Sequence, residues 1–305
     1  MRSSARWTGR CAIAVVTTAP LVAVPALTAE AAAGPAGVGA KSAYLWDIGA
    51  KKTRWNRAAD TRRPIASITK VMTAAVVLRS GGLDRVLTVK QKHLDYAFRQ
   101  GGSSAGLRAG DRLTVRQLLN AMMLPSGCDA AYVLADAYGP GWRGFVTKMN
   151  KTARALKMTR TTYANFDGLP WPTATSTNST ARDQIRLGHY LMLGREFRAI
   201  VARKTYNLPA NRYHKAYSWR NTNRLLGSYS GAVGVKTGST NAAGYSLMFT
   251  ARRGNRNLLG IVLNSSTTNE RARFTDAAKM LNWGFGVRTM SAFTVPPVPA
   301  GANVD

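Results

Sequence analysis

Strand-like segments at the two ends of the chain, separated by helical patterns, constrain its fold more than any other feature. Residues 43–48 have the composition of a strand, and three more strand-like runs follow between 233 and 263. The sequence between them is typical of helices, including one after Pro64 and one that Thr114 could cap. We therefore expect an α/β fold of the α+β type, with one antiparallel sheet, flanking helices and an inserted helical region.

Ser67 and Lys70 form a Ser-x-x-Lys motif at the start of the first predicted helix. At this spacing the hydroxyl and the amine face the same side of a helix. A lysine whose pKa is lowered by burial or by a cationic neighbour could take the proton of the serine and make it a nucleophile. Taken alone, the motif is more often a capping serine followed by a solvated lysine.

Two further short motifs carry hydroxyl and charged groups. Ser126–Cys128 follows Pro125 in a predicted loop between helices, and Lys236–Gly238 continues a predicted strand. Each has an ordinary interpretation, as a turn before a helix and as an edge strand guarded by a lysine. The three motifs in this order, on a helix start, a loop and a strand, are typical of serine enzymes that form an acyl-enzyme with penicillins.

With these motifs the chain resembles the D-alanyl-D-alanine carboxypeptidases of the low-molecular-mass penicillin-binding type, from about residue 43 to residue 286. This resemblance implies a β-lactamase/transpeptidase-like fold. Five segments are similar to signatures of that family: Ala109–Val115, Pro125–Ala130, Phe166–Leu169, Ser179–Asp183 and Gly234–Tyr245.

The resemblance implies a serine-type D-Ala-D-Ala carboxypeptidase that works through an acyl-enzyme. Ser67 would attack the carbonyl between the last two D-Ala residues of a peptidoglycan stem peptide. Lys70 would act as the general base, and Ser126 would relay a proton toward the leaving D-Ala. β-Lactams, which imitate the D-Ala-D-Ala end, would acylate Ser67.

The same resemblance implies a substrate-binding set on the predicted strand. Lys236 and Thr237 would hold the terminal carboxylate, and Gly238 would let the substrate backbone approach closely. The backbone N–H groups of Ser67 and Ser239 would form the oxyanion hole. Neither a metal nor another cofactor is expected, because no His/Glu or Cys/His spacing in the sequence is typical of a metal site.

Cys128 departs from the family pattern, which usually has asparagine at this position. The asparagine would hydrogen-bond the amide of the substrate, and a thiol is a weaker donor and a poor acceptor. Cys128 could still bind substrate, be a reactive thiol, or fill space as a small polarizable side chain.

The N-terminus has the layout of a secretory signal. Arg2, Arg6 and Arg10 precede an uncharged run over 11–29, and Ala-x-Ala cleavage candidates end at Ala31 and Ala33. We expect cleavage near one of these and an exported protein, extracellular or associated with the cell wall. The alternative is a retained membrane anchor, but no other segment reaches 18 apolar residues, so the mature chain is expected to lack a transmembrane anchor.

The predicted organisation has one catalytic domain. Its segments are a signal peptide over 1–31, a flexible lead-in over 32–41, a serine DD-peptidase domain over 42–290 and a Pro-rich tail over 291–305.

The balance of charge indicates an anionic partner. Lys and Arg number 43 against 14 Asp and Glu, a net charge of +29, which cleavage after Ala31 lowers to +27. Nucleic acid is not expected, because an exported protein meets little of it, and anionic cell-wall polymers are the better candidates. The alternative function is an exported cationic binder of cell wall or polyanions, with little or no catalysis.

Two other hydrolase patterns are incomplete in this chain. Gly102–Gly106 matches the Gly-x-Ser-x-Gly nucleophile turn, with His93, His189 or His214 as a possible base, but it lacks a clear preceding strand. A β-lactamase would need a water-activating glutamate in a Glu-x-x-Leu-Asn pattern between Ser126 and Lys236, and none is present. Neither activity is expected.

Overall fold

The computed structural model describes residues 1, 34–287, 293–299 and 301–303. The predicted signal peptide, with its cleavage candidates, lies outside these residues. The strands are β1 Ser42–Asp47, β2 Lys52–Arg57, β3 Arg63–Pro64, β4 Val86–Thr88, β5 Arg112–Thr114, β6 Asn178–Ser179, β7 Thr205–Leu208, β8 Tyr217–Arg220, β9 Ala232–Gly238, β10 Ser246–Arg253 and β11 Arg256–Leu263. The helices are α1 Lys70–Ser80, α2 Gln91–Arg99, α3 Val115–Met123, α4 Cys128–Tyr138, α5 Gly141–Ala155, α6 Ala181–Met192, α7 Arg195–Val201 and α8 Ala272–Phe285.

The main sheet joins the two ends of the chain, as the sequence predicts. Its five strands have the order β2-β1-β11-β10-β9 and all its pairs are antiparallel. Ser42 of β1 lies opposite Leu263 of β11, so the first strand of the sheet pairs with the last one. This topology confirms the expected fold class and leaves β9, which carries Lys236, at one edge.

Alternate residues of the sheet enter two separate hydrophobic clusters. Met248 packs into the larger cluster, with the helices between β2 and β9, whereas Leu247 and Phe249 pack into the smaller one, with α8. The alternation follows from the two-residue period of a strand, which sends neighbouring side chains to opposite faces. Helix α1 is apolar and buried over nearly its whole length, so it is the central helix of the larger layer.

Side-chain caps and a glycine mark the ends of three helices, and Thr114 is the cap expected from the sequence. Thr114 accepts the N–H of Gln117 at 3.2 Å, and the Gln117 side chain accepts the N–H of Thr114 at 2.7 Å, a reciprocal cap of α3. Thr180 accepts the N–H of Asp183 at 3.1 Å at the start of α6. Gly81, in the left-handed region at φ +73°, follows the last residue of α1.

Several elements were not predicted. Helices α2 and α7 and the hairpin of β7 and β8 occupy stretches without a clear sequence assignment. The strands of the last hairpin also extend further than expected, leaving only Gly254 and Asn255 as the turn. Ring stacking of Tyr206 on Trp219, with centroids 5.9 Å apart, fixes the β7–β8 pair across the strands.

The segments predicted to be a lead-in and a tail make specific contacts. Val38 and Ala40, within the predicted lead-in, are buried in the smaller cluster. Val295 of the tail is buried in the same cluster. The Asn303 side chain donates hydrogen bonds to the carbonyls of Pro125 at 2.7 Å and Ser104 at 3.0 Å.

Candidate active site

Ser67 and Lys70 lie at the start of α1, one turn apart. Ser67 belongs to a 3₁₀ turn, Ala66–Thr69, and Lys70 is the first residue of the α-helix. The Lys70 Nζ lies 2.8 Å from the Ser67 Oγ, and the lysine side chain is fully buried. The i, i+3 spacing therefore brings the two groups into hydrogen-bond contact, as predicted.

Ser126 completes a three-residue cluster with this pair. It lies in the loop between α3 and α4, and its Oγ is 3.2 Å from the Lys70 Nζ. Both Ser126, at φ +65°, and Ala66, at φ +47°, are non-glycine residues in the left-handed region. Such strained backbone costs on the order of 1 kcal/mol and is concentrated at functional sites, where the surrounding packing imposes it. We call Ser67, Lys70 and Ser126 the helix side of the site.

Lys236, Thr237 and Gly238 are the last three residues of β9, and we call them the strand side. All three are buried. The Lys236 Nζ donates to the carbonyl oxygen of Thr237 at 3.0 Å, and the Thr237 Oγ1 lies 2.5 Å from the Oγ1 of Thr222. Thr222, whose N–H donates to the Leu124 carbonyl at 3.1 Å, ties the strand side to the end of α3.

The two sides meet at Gly238. A Cβ added to this glycine would lie 3.0 Å from the backbone nitrogens of Ser67 and Ile68. A side chain at position 238 would therefore crowd the turn that carries Ser67. Ser239 follows directly and is half-buried. The predicted pairing of the Ser67 and Ser239 N–H groups as an oxyanion hole remains a prediction.

The floor of the helix side is formed by Phe166–Leu169. A Cβ added to Gly168, at φ +85°, would lie 1.8 Å from the Ala66 carbonyl oxygen. The loop therefore packs directly beneath the Ser67 turn. Asp167 is fully buried here and accepts the hydroxyl hydrogen of Tyr96 at 3.0 Å.

Cys128 lies at the first residue of α4, buried at 1% exposure. Its N–H donates to the Ser103 carbonyl at 2.7 Å, and its thiol donates to the Ser126 carbonyl at 3.9 Å. A Cβ on Gly102 would lie 2.8 Å from the Cys128 Sγ, so the thiol is tightly enclosed. The predicted substrate contact of Cys128 remains a prediction, and its burial disfavours the reading as an accessible reactive thiol.

The Gly-x-Ser-x-Gly segment supports the second motif. The Ser104 Oγ donates to the Asp129 carboxylate at 2.7 Å, and Asp129 also accepts the N–H of Ala105 at 2.9 Å. His93 instead lies against Asp136, and His214 hydrogen-bonds Asn211. The segment is thus a loop braced by a carboxylate, with its serine bonded to an acid, and the expectation that it is not a nucleophile turn agrees with this geometry.

Comparison with known proteins adds to this geometry. Residues 28–267 match the family model described as D-alanyl-D-alanine carboxypeptidase. The chain belongs to this family. A D-alanyl-D-alanine carboxypeptidase of Streptomyces sp. (strain K15) is 40% identical over 293 residues, which cover 91% of this chain and 99% of that protein.

Solved structures agree on the fold of this D-alanyl-D-alanine carboxypeptidase family member. The crystal structure of the Streptomyces DD-transpeptidase, 41% identical, covers 82% of this chain and 98% of its own, with a TM-score of 0.77. A D-alanyl-D-alanine carboxypeptidase structure from Mycobacterium tuberculosis, 29% identical, covers 86% and 99%, with a TM-score of 0.74. The β-lactamase/transpeptidase-like fold is therefore confirmed.

The family assignment also decides between the two functions that the sequence left open. The chain is a serine-type DD-peptidase of the penicillin-binding kind, and the alternative of a non-catalytic cationic binder is not supported. It spans nearly all of the Streptomyces enzyme but 62% of the Bacillus subtilis relative DacF, which is 31% identical.

Three residues of the site were not given a role from the sequence. Thr222, Tyr96 and Asp167 reach the site from a loop after β8, from α2 and from the loop before β6. Only Asp167 carried a signal, through the similarity of Phe166–Leu169 to a family signature. The other two could be found only from the fold, because their local sequence carries no motif.

Proposed function

We propose that Ser67 is the nucleophile with which this enzyme removes the terminal D-Ala of a peptidoglycan stem peptide. The observation that carries this assignment is the contact of the buried Lys70 Nζ with the Oγ atoms of both Ser67, at 2.8 Å, and Ser126, at 3.2 Å. A buried amine with hydroxyl partners is suited to exist as a neutral base, because burial disfavours the ammonium form.

The proton follows the three side chains in order. Lys70 takes the Ser67 proton as the Ser67 Oγ bonds to the scissile carbonyl carbon, and the carbonyl electrons move to its oxygen. When this intermediate collapses, the C–N bond breaks, and the proton passes from Lys70 through Ser126 to the leaving D-Ala amine. Water then bonds to the acyl carbon and gives its proton to Lys70, the ester bond to the Ser67 Oγ breaks, and the proton returns from Lys70 to that oxygen as the shortened peptide leaves.

The strand side supplies the groups that recognise the substrate. Lys236 and Thr237 bind the terminal carboxylate, which suits a cation and a hydroxyl on adjacent positions of one strand. Gly238, in contact with the Ser67 turn, leaves room for the substrate backbone to lie along β9. Ser239 and Ser67 contribute the N–H groups of the oxyanion hole, a contact worth about 3–4 kcal/mol per donor in other enzymes.

Labelling with a fluorescent penicillin tests the nucleophile. The wild-type protein should label covalently and should release D-Ala from a stem pentapeptide. Ser67→Ala should do neither. Ser104→Ala, which removes the other serine considered as a nucleophile, is the matched control and should label like wild type. Labelling of Ser67→Ala would contradict the assignment.

Transfer to an amine is a second candidate outcome of the same acyl-enzyme. The solved Streptomyces relative is described as a DD-transpeptidase, although its sequence is described as a carboxypeptidase. Adding a D-amino acid acceptor to the pentapeptide reaction separates hydrolysis from transfer. If the acyl group is transferred, the peptide that carries the new D-amino acid accumulates, and the amount of hydrolysed peptide decreases.

Export and retention at the cell wall complete the proposal. Residues 1–31 act as a cleaved secretory signal. The net positive charge of the remaining chain suits binding to an anionic envelope. Among the described residues, no helix is long and apolar enough to cross a membrane. Electrostatic binding to anionic wall polymers would therefore hold the enzyme in place.

A basic cavity offers one place for such binding. It has a volume of about 680 Å³ and lies where the β1–β2 and β10–β11 turns meet. Its charged lining is one acid, Asp47, and four cations: Lys52, Arg54, Arg253 and Arg256. Reversing Lys52 and Arg54 to glutamate should lower co-sedimentation with purified cell walls. Reversal of Lys151 and Arg154, exposed on α5, is the control, and retention of the wild type that persists in ~1 M salt would contradict an electrostatic mechanism.

A further inference from the structure

Asp167 is a buried acid that the proposed mechanism does not use. It is fully buried within Phe166–Leu169, the loop beneath the Ser67 turn. A buried ionisable side chain is costly unless it is paired or hydrogen-bonded. Its position beside the nucleophile therefore calls for a specific partner.

The backbone on both sides of Asp167 is fastened to the start of α1. The Thr73 Oγ1 donates to the carbonyl of Phe166, and a Cβ on Gly168 would lie 2.7 Å from the Thr69 Oγ1. Thr69 and Thr73 bracket Lys70 along the helix. These contacts place the backbone of Asp167 against the first turn of α1, which carries Lys70.

Two hydrogen bonds hold the Asp167 carboxylate in place. The Tyr96 hydroxyl donates to Oδ2 at 3.0 Å, and the Leu169 N–H donates to Oδ1 at 3.2 Å. The Cys128 side chain is a further influence that lowers the pKa of Asp167. Hydrogen bonds of this kind favour the charged form of a carboxylate. Burial raises the pKa of Tyr96, so its hydroxyl remains protonated and continues to donate.

Charge links Asp167 to Lys70. Burial raises the pKa of Asp167, and the positive charge of Lys70 is the strongest influence that lowers it. Lys70, Tyr96 and Cys128 are the titratable side chains that influence the pKa of Asp167, and of these three Lys70 is the one that can be a cation. A carboxylate near an amine stabilises the ammonium form of that amine.

We propose that Asp167 is a positioning residue that stabilises the ammonium of Lys70 formed when Ser67 gives up its proton. The inference rests on the proposed function, in which that ammonium persists until its proton reaches the leaving amine. Asp167 forms and breaks no covalent bond in this role. Tyr96 acts through it, by its hydrogen bond to the carboxylate.

The test is the pH profile of acylation by a fluorescent penicillin, followed as a second-order rate constant in wild type and Asp167→Asn. The acidic limb of this profile reports the protonation of Lys70 in the free enzyme. Without the carboxylate, Lys70 should lose its proton more easily, and the acidic limb should move to lower pH by about 1 unit. The plateau should fall by ~10-fold or more, because the ammonium that forms in the transition state loses its support.

Asp183→Asn is the matched control. Asp183 is another buried carboxylate that accepts a backbone N–H, from Arg160 at 2.9 Å, but it pairs with Arg186 on its own helix. This variant should lose stability with no movement of the acidic limb. Asp167→Glu should keep the limb near its wild-type position even if the plateau falls, because the charge is retained.

Two outcomes would overturn the inference. One is an Asp167→Asn variant that folds, by its thermal melt, and keeps the wild-type limb. If that variant does not fold, Tyr96→Phe takes its place: it removes one donor and should move the limb in the same direction by a smaller amount, and an unmoved limb contradicts the inference. Failure of wild-type labelling or of its dependence on Ser67 would instead contradict the proposed function.

Discussion

The helix side and the strand side of the site each bury a lysine, but they surround it differently. Lys70 contacts two hydroxyl groups and lies at the level of a buried carboxylate, whereas Lys236 donates to the carbonyl and hydroxyl of the residue that follows it. The first setting suits an amine that gains and loses a proton. The second, with hydrogen bonds to a carbonyl and a hydroxyl oxygen, suits an amine that stays protonated, so the same side chain can have two functions in one site.

The largest effect should come from Lys70→Arg, which keeps the positive charge but removes the base. Arginine does not give up its proton in proteins, so it cannot accept one from Ser67. We expect acylation by penicillin and D-Ala release to fall by about 10³-fold, within the range of general-base catalysis. Stopped-flow acylation and a D-Ala assay measure the loss, and near wild-type rates would rule out Lys70 as the base.

Lys236→Ala should have a smaller effect that depends on the substrate. Loss of a charge-assisted contact to the terminal carboxylate should lower kcat/KM by about 10–100-fold. The same substitution should change little for a peptide whose terminal carboxylate is amidated. Comparison of the two substrates checks this, with Lys236→Arg as the variant that keeps the charge. Equal losses of kcat/KM on both substrates would contradict the assignment of carboxylate binding to the strand side.

Gly238→Ala tests the contact between the sides. Its Cβ would meet the Ser67 and Ile68 nitrogens at 3.0 Å, so the Ser67 turn must move by a few tenths of an ångström. We expect a loss of about 10-fold in acylation rate, since small misplacements of a nucleophile are costly. Gly49→Ala, whose nearest atom would lie at 3.7 Å in the β1–β2 turn, should acylate at the wild-type rate.

Cys128→Asn, which restores the usual family residue, should have the smallest effect. Its amide is a stronger donor and acceptor than the thiol, so D-Ala release should be unchanged or faster. Cys128→Ala has no donor and should be slower by a few-fold. A collapse of activity in the asparagine variant would mean that the thiol has a separate role.

Much of the fold and the motif residues could be predicted because their signals are local. Thr114 and Gly81 mark helix boundaries by backbone chemistry that acts within one turn. Ser67 and Lys70 meet because i, i+3 spacing fixes their distance once a helix begins there. These interactions do not depend on how distant parts of the chain pack.

The residues that were missed depend on long-range packing. Thr222 contacts Thr237 only because the β7–β8 hairpin returns to β9, and that hairpin pairs aromatic residues whose local sequence has no clear alternation. Tyr96 reaches Asp167 across 71 positions of sequence. The burial of Val38 likewise follows from contact with the layer of α8, which no composition of a Gly- and Ala-rich segment reveals.

The pairing of β1 with β11 has a consequence for the order in which the molecule becomes active. Ser42 and Leu263 are partners, so β1 exposes an unpaired edge until more than six-sevenths of the chain has been made. Lys236 arrives on the strand next to that late hairpin, long after Ser67. A chain that emerges N-terminus first therefore carries Ser67 well before the strand that brings Lys236 to it, and the two sides of the site can meet only after most of the chain has been made.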